Sequence, residues 1–427
     1  MKINALLDVN LVAHETADEV AVLLELEAPA APTTKRAPAS LQVVLDRSGS
    51  MGGAPLEGAK QALVALVRRL EPTDNFGLVT FDDTAQVVVP AGPLTAKEAV
   101  VAQICAVHAG GTTDLSAGYL RGLREIRRAA TTGGTVLVVS DGHVNAGVSA
   151  PDAFATITAK AYADGVVTST LGYGRGYDET LLAAIARAGS GNHVFAADPD
   201  AAGAAIAGEV DGLLDKVVQA LALTVRFAPA VRFLRLFNDL PAQQIGAGEV
   251  MIELGDLFAE EGRKVLLKLG VPAMAKLGLA KVATLELAYV ELPGLVEHVA
   301  SLPITVNVVP GDEAAGRVAH PTVSSEVLFQ EAQDMKRQAS EAFERGDLDA
   351  GQRLLGETTS RLRRALDVSP EAVKPEIRAE LDDVNCMDQM TRDVGAAHMS
   401  KVSRDSYHQM NRKRGRTPVR PDDEQDR

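Results

Sequence analysis

The chain has 427 residues, 46% hydrophobic and 23% charged, with a formal net charge of −14. That length accommodates two or three domains, each with its own core. The acidic balance argues against a nucleic-acid partner, which needs basic surface, and the lack of Trp with 4% aromatic residues argues against stacking platforms for bases or sugars. Cys105 and Cys386 lie far apart and form neither a disulfide framework nor a zinc cluster. The opening Met1-Lys2-Ile3-Asn4-Ala5 runs into Asp8, Glu15, Asp18 and Glu19, without the apolar segment of a signal peptide. No window approaches the ~20 apolar residues of a membrane span. The expectation is a cytoplasmic protein.

In chain order, residues 3–27 contain alternating runs such as Val20-Ala21-Val22-Leu23-Leu24-Glu25-Leu26, expected as a strand pair, and Ala28–Pro38 reads as a linker. From Leu41 to about Val194, short apolar runs alternate with helical periodicity. Strands are expected at Leu41–Leu45, Phe76–Phe81, Gln86–Val89, Thr135–Ser140, Val166–Leu171 and His193–Ala196. Between them, helical spacing covers Leu56–Leu70, Thr95–Val107, Ser116–Ala130, Pro151–Ala163 and Asp178–Ala188. This alternation predicts an α/β fold: a doubly wound, mostly parallel sheet covered on both faces, with an antiparallel edge after Phe81.

A helix is expected from Pro199 to Ala220. Five strand candidates follow, at Leu223–Phe227, Glu249–Leu254, Val265–Leu269, Val282–Val290 and Ile304–Val309, with sandwich-like spacing. The economical topology joins the N-terminal strands to this set, so that the α/β domain is inserted in a β-sandwich. Beyond Gly311, Val323–Glu344 and Leu348–Leu366 read as helices broken at Gly346-Asp347, with a further helix between Pro370 and Asp393. The expected division is residues 1–38 for the first sandwich strands, 39–200 for the α/β domain and 201–310 for the rest of the sandwich. Residues 320–400 form a C-terminal helical region. Residues 401–427, with Lys401, Arg404, Arg412, Lys413, Arg414, Arg416 and Arg420, are expected as a solvated, disordered tail.

The chemistry concentrates at Val43-Val44-Leu45-Asp46-Arg47-Ser48-Gly49-Ser50-Met51-Gly52. Asp46, Ser48 and Ser50 offer three oxygens in one tight loop at the carboxyl end of a buried strand. Hard oxygen donors at that spacing suit a hard divalent cation, and strand carboxyl ends are where open α/β sheets bind ligands. A second strand ends at Val139-Ser140-Asp141-Gly142, and Gly110-Gly111-Thr112-Thr113 leads into a helix. A more ordinary role for Ser48 and Ser50 is to cap the following helix.

Asp-x-Ser-x-Ser, followed in order by a threonine loop and a strand-end aspartate, resembles the von Willebrand factor A domain over about Leu41–Ala197. The resemblance implies a metal-ion-dependent adhesion site (MIDAS) formed by Asp46, Ser48, Ser50, Thr113 and Asp141. In that family the hydroxyls coordinate directly or through water and the aspartates largely through water, leaving a position for a partner's carboxylate. Thr112 is the register alternative to Thr113, whose Thr-Asp-Leu run matches the family. Mg2+ is the first choice for few carboxylates plus waters, with Ca2+ and Mn2+ as alternatives.

The implied function is non-enzymatic: an adaptor or scaffold binding a protein that supplies an Asp or Glu. A co-chaperone role in an ATPase assembly is the alternative. The three-part layout, with Ile252–Phe258, also resembles the inter-alpha-trypsin-inhibitor heavy chain group. A serine hydrolase using Ser50 and His143 is disfavoured, because His143 shares a loop with Asp141, its would-be orienting group. His108 and His193 read as structural. Gly172–Gly176 lacks the Lys-Ser/Thr of a phosphate loop and reads as a turn near the metal face.

Overall fold

The computed structural model describes residues 1–31, 36, 38–130, 133–141, 144–173, 177–196, 206 and 215–411. Three strands open the chain: β1 (Lys2–Leu7), β2 (Leu11–Ala13) and β3 (Asp18–Glu27). The α/β part follows as β4 (Ser40–Asp46), α1 (Ala54–Arg69), β5 (Asn75–Phe81), β6 (Ala85–Pro93), α2 (Lys97–Cys105), α3 (Leu115–Ala129), β7 (Gly134–Ser140), α4 (Pro151–Ala163), β8 (Val166–Tyr173), α5 (Glu179–Ala188) and β9 (Ser190–Ala196). Its strand order is β6-β5-β4-β7-β8-β9, and only the β5–β6 pairing is antiparallel.

The two faces of this sheet have separate cores. Val43, Leu45, Phe76, Leu78, Leu137 and Val139 pack with α1 and α2 residues such as Leu63, Leu66 and Ile104. Val44, Phe81, Val136 and Val138 pack with Tyr119, Leu123, Phe154, Leu181 and Ile185 from α3, α4 and α5. Burial on both faces is why β4 and β7 read as continuous apolar runs.

Seven strands then follow: β10 (Lys216–Phe227), β11 (Arg232–Leu236), β12 (Ala242–Gly246), β13 (Glu249–Phe258), β14 (Gly262–Val271), β15 (Gly278–Glu291) and β16 (Val296–Val309). One sheet has the order β1-β3-β14-β11 and the other β12-β13-β10-β15-β16-β2. Strand β3 runs antiparallel to β14, with Leu24 opposite Val265 and Val22 opposite Leu267. The N-terminal strands thus pair with strands that come after the α/β part. Val20, Val22, Leu24 and Leu26 enter the core between the sheets, while Ala21 and Leu23 face Phe237, Leu266 and Val323 on the other side.

The C-terminal region comprises α6 (Gly311–Ala315), α7 (Pro321–Glu344), α8 (Leu348–Val368), α9 (Lys374–Val394) and α10 (Ala396–Asn411). At the α7–α8 corner, Gly346 adopts φ +79° and the Asp347 carboxylate caps α8 by accepting from the Ala350 N–H at 2.9 Å. A Cβ on Gly351 would lie 2.2 Å from the Phe343 ring, so glycine there allows the two helices to meet.

Three expectations need correction. Of the helix expected over Pro199–Ala220, residues 199–205 and 207–214 lie outside the described residues, and Lys216–Ala220 begins strand β10. Val217, Val218, Leu221 and Leu223 suit a helical or an extended stripe alike; hydrogen bonding to β13 and β15 settles it as extended. Strands β11 and β12 were not expected: both are short sheet-edge strands without an apolar alternation strong enough to show in the sequence. The disordered tail expected from residue 401 instead begins with ordered helix, since Lys401 and Arg404 belong to α10. Residues 412–427 lie outside the description.

Candidate cation site

Strands β4 and β7 are adjacent and parallel, so their carboxyl ends bring Asp46 and Asp141 to the same edge of the sheet. After β4 the chain makes one 3-10 turn, Gly49–Met51, before α1. Neither Ser48 nor Ser50 caps a helix: α1 is preceded by Gly53 at φ +87°, and no side-chain cap bond forms at either start. The serines instead link the two aspartates. Asp46 is fully buried; its Oδ1 accepts from the Ser48 N–H at 2.8 Å and its Oδ2 from the Ser140 hydroxyl at 2.6 Å. The Ser48 and Ser50 hydroxyl oxygens lie 3.1 Å apart, and the Ser50 hydroxyl donates to Asp141 Oδ1 at 2.8 Å. Ser50 is exposed, so the cluster opens to solvent on its side.

The threonine loop is bound to the first loop by its backbone. Gly110 N–H donates to Arg47 C=O at 2.8 Å, and Gly49 N–H to Gly111 C=O at 3.2 Å. Gly111 has φ +71°, and a Cβ there would lie 2.7 Å from the Asp82 Cβ. Only glycine allows that close crossing. Thr113 is buried and Thr112 exposed. The Asn145 side chain accepts from the Thr113 N–H at 2.9 Å, and Thr113 C=O accepts in turn from the Asn145 and Ala146 N–H groups. Asp114 caps α3 by accepting from the Ala117 N–H at 3.0 Å.

Burial pushes the Asp141 carboxyl up to about 6, with the Asp46 charge adding to the rise and the Ser50 hydrogen bond opposing it. Burial likewise raises Asp46 against the pull of Ser140 and Ser48. Two desolvated acids thus stand at the two ends of one run of serines, a setting that a cation would relieve. The two carboxylates and the Ser48 and Ser50 hydroxyls that these bonds bring together are all hard oxygens, the donor type that a small divalent ion takes.

The sequence reading missed three supporting residues. Ser140 orients Asp46, and its signal is a polar residue ending an otherwise apolar strand. Asn145 holds the Thr113 loop. Arg47 bridges to Asp82 at 2.7 Å and steadies the crossing beneath Gly111. His193 is buried in the core, its Nδ1 2.8 Å from the Thr170 hydroxyl. His108 is exposed, and His143 and Gly174–Gly176 lie outside the described residues. Among the described residues, no histidine hydrogen-bonds to Ser48 or Ser50.

The sheet order, the paired cores and this strand-end cluster define a class of ligand-binding α/β domain. Residues 41–205 match the family model of the von Willebrand factor type A domain, so this part of the chain is a type A domain. It is similar to the uncharacterized protein sll0103 of Synechocystis, 28% identical over 61% of this chain and 64% of that protein. It is also similar to the uncharacterized protein YfbK of Escherichia coli, 28% identical over 45% of this chain and 34% of that one. Human inter-alpha-trypsin inhibitor heavy chain H3 is 26% identical over 37% of this chain and 19% of its own length. The chain therefore spans less than two thirds of each of these relatives.

Among solved structures, a von Willebrand factor type A protein from Catenulispora acidiphila shares the fold with a TM-score of 0.73 at 16% identity, over 96% of both chains. The ArnB paralog VWA2 from Sulfolobus acidocaldarius does so with a TM-score of 0.63 at 15% identity, over 96% of this chain and 99% of that one. Domains of this family are generally non-enzymatic modules that mediate metal-dependent protein interactions. No helix among the described residues is long and apolar enough to cross a membrane.

Proposed function

We propose that this chain is a metal-dependent protein-binding adaptor whose cation is held by Asp46, Ser48, Ser50, Thr113 and Asp141. The observation that carries the reading is the hydrogen-bonded run Ser140–Asp46–Ser48–Ser50–Asp141, which gathers two buried carboxylates and the serine hydroxyls at one opening. Burial of Thr113, held by Asn145, supports it over Thr112 as the fifth donor. Mg2+ suits the set best, since it takes few carboxylates and keeps several waters. A carboxylate from the partner would approach on the open side, where Ser50 is exposed. That charge contact supplies strength, and the surrounding surface supplies specificity.

The test is a Mg2+ titration by calorimetry, together with recovery of bound proteins from native lysate in Mg2+ and in chelator, using wild type and Asp46→Ala. We expect one site in wild type, none in Asp46→Ala, and a partner retained only by wild type in Mg2+. The same set of proteins in all four conditions would overturn the reading.

A further inference from the structure

Helix α10 touches every part of the molecule. It follows α9 across Gly395, at φ +75°. One side of it belongs to the helical region: Met399 is buried there, Ser400 C=O accepts from the Ser340 hydroxyl at 2.9 Å, and the Ser403 hydroxyl donates to Lys336 C=O at 3.0 Å. At its end, Asn411 reaches the sandwich. It donates to Phe237 C=O at 3.2 Å, and its own C=O accepts from the Asn238 side chain at 3.0 Å.

The side facing the type A domain is made of charge and hydroxyl groups. The Ser400 hydroxyl donates to Glu179 Oε1 at 2.5 Å. Lys401 Nζ donates to Tyr177 C=O at 2.9 Å, lies 3.4 Å from Glu179 Oε2, and sits 4.0 Å from the centre of the Tyr177 ring. Arg404 spans the Thr180 hydroxyl and Glu344, both at 2.9 Å. The Asp405 carboxylate accepts from the Phe195 N–H at 2.9 Å, covering part of the open edge of β9. Ion pairs buried at such a joint add little net stability, because desolvation offsets their attraction. Polar contacts of this kind are also those that come apart between domains.

Tyr177 leads from this joint to the cation site. Its ring covers Gly172, where a Cβ would lie 2.3 Å from the ring. Gly172 pairs with Ser140 across β7 and β8, and the Ser140 hydroxyl holds Asp46 Oδ2. We propose that Lys401 and Tyr177 are positioning residues for the cation site: α10, docked on the type A domain, presses Tyr177 onto Gly172 and holds the ends of β7 and β8 in the register that aims Ser140 at Asp46. Docking of α10 and cation binding then strengthen each other, as linkage requires. The cation half of this statement rests on the function proposed above; the α10–Asp46 coupling is measurable without a cation.

The experiment is amide hydrogen exchange on the full chain in chelator, for wild type, Lys401→Met, Asp405→Ala and the conservative Lys401→Arg. In Lys401→Met and Asp405→Ala we expect faster exchange over residues 396–411 and 190–196. Exchange over 134–141 and 46–52 is expected to rise by about fivefold or more, with α8 unchanged and Lys401→Arg close to wild type. Loosening confined to 396–411 and 190–196 would overturn the coupling, and so would a general loss of protection that includes α8. No loosening of 396–411 would overturn the joint itself. In a second arm, Mg2+ is titrated: it should protect 46–52 and 396–411 in wild type and bind Lys401→Met about fivefold more weakly. If Mg2+ changes nothing in wild type, the cation reading fails, while the chelator arm still decides the coupling.

Discussion

Asp46 is fully buried and depends on Ser140 for one of its two oxygens, at 2.6 Å. Hydrogen bonds to charged groups contribute about 1.5–3 kcal/mol, and leaving a buried carboxylate oxygen unsatisfied has a similar cost. Ser140→Ala is therefore expected to lower stability by roughly 2 kcal/mol in chelator, read from urea denaturation. Asp141 brings pH dependence. Its carboxyl is pushed up to about 6 by burial and by Asp46, so the folded, cation-free protein holds this proton more tightly than the unfolded chain does. The group's contribution to stability is complete below its ordinary value of 3.8 and is lost as pH rises through about 6. A cation must displace the same proton. Mg2+ should thus bind about tenfold more weakly at pH 5 than on the plateau above pH 7, measured by calorimetry. An affinity independent of pH over that range would remove Asp141 from the site.

Helix α3 sets the spacing between the threonine loop and the sheet. Gly118 and Gly122 lie one turn apart on the face it turns to the strands. A Cβ on Gly118 would come within 2.6 Å of the Phe81 ring, and one on Gly122 within 2.5 Å of Val44 Cγ2. Alanine is the better helix former by ~1 kcal/mol, yet overpacking a close contact costs about 1–3 kcal/mol. Gly118→Ala and Gly122→Ala should each destabilise the protein by chemical denaturation. Because α3 begins at Leu115, both should also weaken Mg2+ binding. A neutral or stabilising result would mean that the helix can stand off the sheet without cost.

At the scale of the molecule, β3 stands between β1 and β14 and buries Val20, Val22, Leu24 and Leu26 in the core between the sheets. Four such side chains, at roughly 1.5–3 kcal/mol each, rival the whole stability of a typical domain, about 5–15 kcal/mol. Removing residues 1–27 should leave residues 216–309 open to limited proteolysis while the type A domain stays protected. Equal protection of both would show that the later strands close a core unaided. Much of the α/β part was legible in the sequence. Strands buried on both faces, amphipathic helices and glycine-rich turns are local patterns, and Asp46, Ser48 and Ser50 fall in one loop whatever the rest of the chain does. Of the residues that support the site, Ser140 left a trace as the polar end of an apolar strand, but what each of them holds was not legible. Ser140 reaches Asp46, Asn145 holds Thr113 and Lys401 packs on Tyr177 only because β4 lies beside β7 and α10 folds back onto β9. The same holds for Lys216–Ala220, whose apolar spacing suits helix or strand until β13 and β15 pair with it. The sequence by itself determined the element types of the type A domain and the oxygen chemistry of its first loop, because periodicity and close spacing act within a few residues. Strand order, the pairing of β3 with β14 and the docking of a charged terminal helix were decided by the tertiary structure, because backbone hydrogen bonds and buried ion pairs form between segments that no local pattern connects.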